Sequence, residues 1–141
     1  MIVIQFIFLG CLRVAQNSKN VRYYINSQTG KDANTGISIN SPWKSLKKLE
    51  ETTFQPGDSI LFAKNSVFQG GLTSKSYGKT ESPIVVSNYG NGSLLSFSNP
   101  DQNQLNGNVF QVSGSHVVIN DLSFLKCADA NTKKGIINYN H

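Results

Sequence analysis

Along most of the chain, apolar side chains recur at every second position in short runs separated by Gly, Asn and Ser. The clearest run is His116–Phe124, where Val117 and Ile119 alternate with polar or outward positions. The phase then slips by one at Asn120–Asp121, and Leu122 and Phe124 resume the alternation. In a strand, successive side chains point to opposite faces, so one extra residue would turn the remainder inside out. A turn at Asn120–Asp121 keeps Leu122 and Phe124 facing inward. Short strand, two-residue corner, short strand is the way a chain coils around a narrow core. The pattern therefore predicts an all-β fold, a parallel β-helix.

Upstream, Val21–Asn26 is aromatic and β-branched and reads as a strand, followed by a polar loop over Ser27–Asn40. Ser41-Pro42-Trp43 offers an N-cap and a first-turn proline, and Trp43, Leu46 and Leu49 share one face. That predicts one short amphipathic helix, ended by Pro56-Gly57-Asp58. Its lysines come early and its glutamates late, against the helix dipole, so it must be held by docking. Plugging the open end of a β-helix suits it. Strands are then expected around Ser59–Ala63, Val67–Gln69, Leu72–Thr73, Pro83–Val86, Leu94–Phe97, Val109–Val112 and Gly135–Tyr139.

The tripeptides at 84–86, 109–111 and 136–138 stand about one coil apart, given solenoid repeats of roughly 20–45 residues. Asn88, Asn99, Asn120 and Asn138 follow or end strands, where an amide tolerates a left-handed corner and can bond the next coil. A β-sandwich is the competing architecture, with Asn-Gly pairs at 91–92 and 106–107 as hairpin turns. The phase slip and the docking helix argue against it.

Composition adds compartment and partner. Met1–Leu12 carries no charged side chain and is too short to span a bilayer as a helix. It suits the apolar core of an export signal, placed at residues 1–16, with residues 17–141 as the mature domain. Phe8-Leu9-Gly10-Cys11 is a degenerate lipoprotein box, so a lipid anchor at Cys11 is the alternative attachment. With Cys11 in the leader, Cys127 has no disulfide partner and reads as a small packed residue. The net charge is +5, with lysines scattered rather than in a run. Without basic runs interleaved with aromatics, nucleic acid is not the expected partner.

In order, the segments Tyr23-Tyr24-Ile25-Asn26, Gly30–Gly36, Ser41–Leu46, Pro56–Phe62, Ser82–Val86 with Tyr89-Gly90, and His116–Phe124 resemble the N-terminal part of secreted right-handed parallel β-helix proteins. This is the pectate-lyase-like superfamily. The resemblance implies export to the periplasm, medium or cell surface. It also implies action on polysaccharides, acidic ones among them, by lysis or hydrolysis, with Ca²⁺ as the cofactor the family can use. Members of the family are much longer and carry their catalytic groups on middle coils, and no C-terminal cap is evident here. A truncated or N-terminal fragment, inactive alone, is therefore expected. The alternative is a non-catalytic carbohydrate-binding or adhesion module of the same fold.

Glycoside hydrolysis needs two carboxylates about 5–10 Å apart. Asp121, at the corner, and Asp129, in the following segment, form the pair to consider. Corner hydrogen bonding is the plainer role for Asp121, and a turn-stabilising role for Asp58. Lys126 could serve a lyase site as a base only with more carboxylates around it. Tyr77, Tyr89 and Tyr139 stand near turns and could stack on sugar faces, although ordinary packing explains them too. Asp32 and Asn34, alternating before Gly36, resemble half of a calcium loop whose remaining ligands are missing; a plain Asx-turn loop is the simpler reading.

Overall fold

The computed structural model describes residues 20–70, 72–74, 76–93, 95–98, 110–122 and 137–140. The expected leader over residues 1–16, Cys11, Lys126, Cys127 and Asp129 lie outside the described residues. The elements are β1 (Arg22–Ile25), α1 (Leu46–Glu50), β2 (Ser59–Ala63), β3 (Val67–Gln69), β4 (Leu72–Ser74), β5 (Ile84–Tyr89), β6 (Ser96–Ser98), β7 (Phe110–Ser113), β8 (Val117–Ile119) and β9 (Ile137–Asn140).

The strands form three sheets, in the orders β1-β2-β5-β8, β3-β6 and β4-β7-β9. Every pairing between them is parallel. From β2 onward the chain visits the first, second and third sheets in turn, then the same three again through β5, β6 and β7. The hairpins of a sandwich are absent among the described strands: Asn91-Gly92 joins β5 to β6, which lie in different sheets. The expected equivalence of 109–111 with 136–138 holds, since Phe110 pairs with Ile137. Residues 84–86 belong elsewhere: they pair with Val117–Ile119 in the first sheet. Similar apolar tripeptides on different sheets are indistinguishable by period alone.

The core follows the alternation. Ile25, Ile60, Phe62, Ile84 and Val86 are buried from the first sheet, Phe68 and Phe97 from the second, and Leu72 from the third. Phe68 pairs in register with Phe97, and their rings stack 5.4 Å apart. Phe62 meets both edge-on, at 5.3 and 5.1 Å. Offset and edge-to-face rings contribute about 0.5–1.5 kcal/mol per pair beyond their burial. Val117, Ile119 and Leu122 pack against the same core. Between them Asp121 takes a left-handed backbone, φ 55°. The phase slip is thus a corner.

The helix is shorter and starts later than the sequence suggests. α1 has five residues, and its N-cap is Ser45, whose hydroxyl accepts the Lys48 N–H. Ser41-Pro42-Trp43 lies before the helix instead. Trp43 forms a parallel bridge to Ile25, donating its N–H to the Tyr24 carbonyl at 2.9 Å and accepting the Asn26 N–H at 2.8 Å. A residue whose N–H and carbonyl are both engaged by the β1 segment is not available to a helix. The docking expectation holds: Leu46 and Leu49 are buried, and the Glu50 carboxylate accepts the Thr73 N–H of β4 at 3.2 Å. Trp43 stacks on Tyr23 at 5.2 Å, and Tyr23 meets Phe54 edge-on at 5.1 Å. Gly36, at φ +74°, faces the Trp43 ring, which leaves no space for a Cβ.

Asparagine corners occur, at positions the sequence singled out only in part. Asn65 is left-handed, φ 63°. Its side chain accepts the Ser93 N–H at 2.7 Å and donates to the Asn91 carbonyl at 3.3 Å, while its own carbonyl accepts the Gln28 amide at 2.8 Å. One residue thereby ties three successive layers of chain. Asn88 donates its side-chain amide to the Asp121 carbonyl, the next corner along. Asn120 continues the ladder, donating its N–H to the Val86 carbonyl at 2.9 Å. Asn99 lies outside the described residues, and Asn138 falls within β9.

Candidate functional site

Because Ile25, Ile60, Phe62, Ile84 and Val86 point inward, alternation sends Tyr24, Leu61, Val85 and Tyr89 to the outer face of the first sheet. Tyr24 lies beside Leu61 and Tyr89 beside Ala63. The two tyrosine rings meet edge to face, 5.2 Å apart and perpendicular. Ala63, in register with Tyr89, is buried although it faces outward. Burial pushes the Tyr89 hydroxyl above its ordinary pKa; a hydrogen bond with the Asn26 side chain acts the other way, and Tyr24 adds to the rise. Asn26 is itself fixed, its side-chain oxygen accepting the Gln28 and Thr29 N–H groups at 2.9 and 3.1 Å. A held, half-exposed aromatic pair next to a fixed amide can stack on one face of a sugar and bond a hydroxyl at its edge.

Tyr89 therefore lies on the outer face of the first sheet, beside Tyr24. Tyr24 and Asn26 were not singled out by the sequence, where they look like any strand residues; their partnership needs the register of β1, β2 and β5. Tyr77 is 65% exposed, in a bridge to Ser115. It lies near the left-handed His116, φ 54°, whose Nε2 is 3.2 Å from the Thr80 hydroxyl. The structure does not bring Tyr77 and Tyr89 together as neighbours in any ring contact among the described residues. Tyr139 falls in β9, opposite Val112.

Asp58, Asp32 and Glu50 serve the backbone. Asp58 is buried and accepts the Val21 N–H on Oδ1 at 2.9 Å and the Gln55 N–H on Oδ2 at 2.8 Å. Asp32 accepts the Lys44 and Ser45 N–H groups on Oδ1 at 2.8 and 2.9 Å. Burial alone would raise its pKa. The Ser45 hydroxyl, the Ser45 and Lys44 amides and the Lys48 charge outweigh that and leave it lowered. Asn34 donates to the Pro42 carbonyl at 2.8 Å, and its own carbonyl accepts the Trp43 indole N–H at 2.9 Å. The half calcium loop of Asp32 and Asn34 thus has its polar atoms turned to its own chain. No group of three or more His, Cys, Asp or Glu suited to a metal occurs among the described residues. Glu50 faces β4, and Glu51 lies 3.9 Å from Lys47. Asp121 is exposed at its corner.

No family model matches the chain. Over 77 residues, 52% of its length, the chain is 39% identical to the lacto-N-biosidase of Bifidobacterium longum subsp. longum, of which the match spans 5%. Two crystal structures of the GH136 lacto-N-biosidase from Eubacterium ramulus share its fold. The native protein superposes with a TM-score of 0.63 at 22% identity, and the selenomethionine derivative with 0.63 at 24%. Each superposition covers 79% of this chain and 22% of the larger one. The relatives named are lacto-N-biosidases, where the sequence pattern suggests the pectate-lyase-like superfamily at large. The chain spans about a fifth or less of the length of these proteins.

Proposed function

We propose that this chain forms the capped, N-terminal coils of a right-handed parallel β-helix belonging to a larger, exported glycoside hydrolase of lacto-N-biosidase type. The observation that carries this is the 39% identity over 77 residues to a lacto-N-biosidase. The cyclic order of parallel strands supports the β-helix reading, and the loop and helix packed at β1 and β4 support the placement at a capped end. The uncharged apolar run of Met1–Leu12 supports an export signal and a secreted or cell-surface location.

In this reading the chain supplies scaffold, and the two carboxylates that a hydrolase needs belong to further coils. Asp58 and Asp32 are engaged by backbone amides, which suits them to holding turns rather than to moving protons. The Tyr24–Tyr89 face is a glycan contact away from the chemistry.

The test has two arms. A hybrid carries residues 20–122 in place of the matching segment of the E. ramulus enzyme, and a chromogenic lacto-N-bioside reports turnover. The hybrid is expected to hydrolyse it, and the 141-residue chain alone is expected to leave it intact. A folded but inactive hybrid would remove the lacto-N-biosidase assignment. Turnover by the chain alone would overturn the scaffold role. A binding-only module is the second reading, favoured by the Tyr24–Tyr89 pair. Glycan binding by the chain alone, lost in Tyr89→Ala, together with an inactive hybrid would establish it.

A further inference from the structure

The three sheets begin at β1, β3 and β4, and these first edges are treated differently. The β1 edge is closed by backbone. The Tyr24 N–H donates to the Gly36 carbonyl at 2.7 Å, and Trp43 takes the Tyr24 carbonyl and the Asn26 N–H. At β4, the Glu50 carboxylate of α1 meets the Thr73 N–H.

The β3 edge is left largely open. The Ser66 carbonyl and the Gly70 N–H bond toward β6, each at 2.9 Å. In a parallel ladder alternate residues face opposite neighbours, so Val67 and Gln69 face away from β6. On that side the Val67 N–H donates to the Ser27 hydroxyl at 3.0 Å. The Val67 carbonyl and both backbone groups of Gln69 have no partner among the described residues. They border a groove of about 420 Å³ lined by Ser27, Lys44, Leu46, Val67, Phe68 and Gln69. Val67 is 57% exposed beside it.

We propose that the β3 edge takes an extended, acidic polypeptide segment as an added strand. The unmet groups run acceptor, donor, acceptor over two residues, a span of about 6.6–6.8 Å in extended chain. Another backbone presents the complementary sequence at the same spacing, which is how exposed edges recruit strands. Alternate side chains of the added strand would rest on Leu46 and Phe68, and the others would meet Lys44. Lys44 is the charged group among the lining residues and is followed on the chain by Lys47 and Lys48. Glu51 pairs with Lys47 and the Asp32 carboxylate draws on Lys48, which leaves Lys44 as the cation on the groove to meet a carboxylate. A neutral glycan offers hydroxyls without this repeat and is the competing occupant.

The probe is an acetylated, amidated hexapeptide of alternating valine and glutamate, added to the whole chain. Residue-resolved amide exchange and fluorescence titration report the result. Binding is expected to slow exchange of the Gln69 N–H. N-methylation of one strand-pairing peptide amide is expected to weaken binding about 5- to 10-fold, the net worth of a hydrogen bond. Lys44→Glu, at an exposed side chain, is expected to reverse the preference toward a valine–lysine peptide. No binding, or binding indifferent to N-methylation, would overturn the proposal. Protection of Gln69 by a neutral disaccharide and not by the peptide would also overturn it and give the groove to a glycan.

Discussion

Asp58 and Asp121 both stand where a strand meets a corner, Asp58 entering β2 and Asp121 leaving β8, yet they are put to opposite use. Asp58 is buried, with each carboxylate oxygen receiving a backbone N–H, from Val21 and from Gln55. Its carbonyl also accepts the Val85 N–H at 3.0 Å, so it links the first strand, the turn and the next layer. Asp121 keeps its side chain exposed and contributes its backbone, which is left-handed and accepts the Asn88 amide. The residue type and the corner are shared. What differs is whether backbone amides converge on the carboxylate, and that decides whether the acid is spent on the fold.

The largest test of this contrast is Asp58→Ala. It leaves two N–H groups without acceptors in a buried turn, and a loss of about 3 kcal/mol is expected in urea unfolding. A loss under about 1 kcal/mol would mean that water replaces the carboxylate, and the contrast would collapse. Asp58→Asn keeps one acceptor and turns an NH₂ toward a donor, so about 1.5–2 kcal/mol is expected, between wild type and Ala.

Asp32 is an intermediate case, an exposed side chain with two amide donors. Asp32→Ala is expected to cost about 1 kcal/mol, as for loss of a cap. Its lowered pKa gives that contribution a pH dependence of definite sign. It is fully present above the ordinary carboxylate value of 3.8 and is lost as pH falls through the lower folded value. The stability gap between wild type and Asp32→Ala should therefore shrink in acid; a gap that widens would contradict the hydrogen-bonding account. The smallest effect belongs to Asp121→Gly. Relief of a left-handed backbone, about 1 kcal/mol, is offset by glycine's entropy, about 0.5–1 kcal/mol, so the unfolding midpoint should barely move. A large loss would show that the Asp121 carboxylate has a partner after all.

The Asp121 corner was legible because a one-residue slip in a period-two pattern has few solutions, and Leu122 does return to the core. Strand positions were legible for the same reason. The helix start was not, because Ser41-Pro42 is a sound local signal overridden by the pairing of Trp43 with Ile25, a contact between segments apart in sequence. Which strands share a sheet was hidden too: short apolar runs such as Ile84–Val86 and Phe110–Val112 carry the same pattern whichever sheet they join. Tyr89 was found as an aromatic near a turn, while Tyr24 and Asn26 become its companions only through register.

The three-sheet circuit, first to second to third and back, has a consequence for how such a protein changes length. In the first sheet each strand pairs only with the strand before and the strand after, and Asn65 fastens its layer to the next by bonding the backbone of Asn91 and Ser93. A duplication or deletion of one whole circuit preserves every phase, and the unequal connections between Ser59 and Val85 and between Ile84 and Val117 show that length is also taken up outside the strands. Growth by modular increments is the kind of variation this architecture tolerates, and it adds layers without redesign of the edge that Trp43 closes.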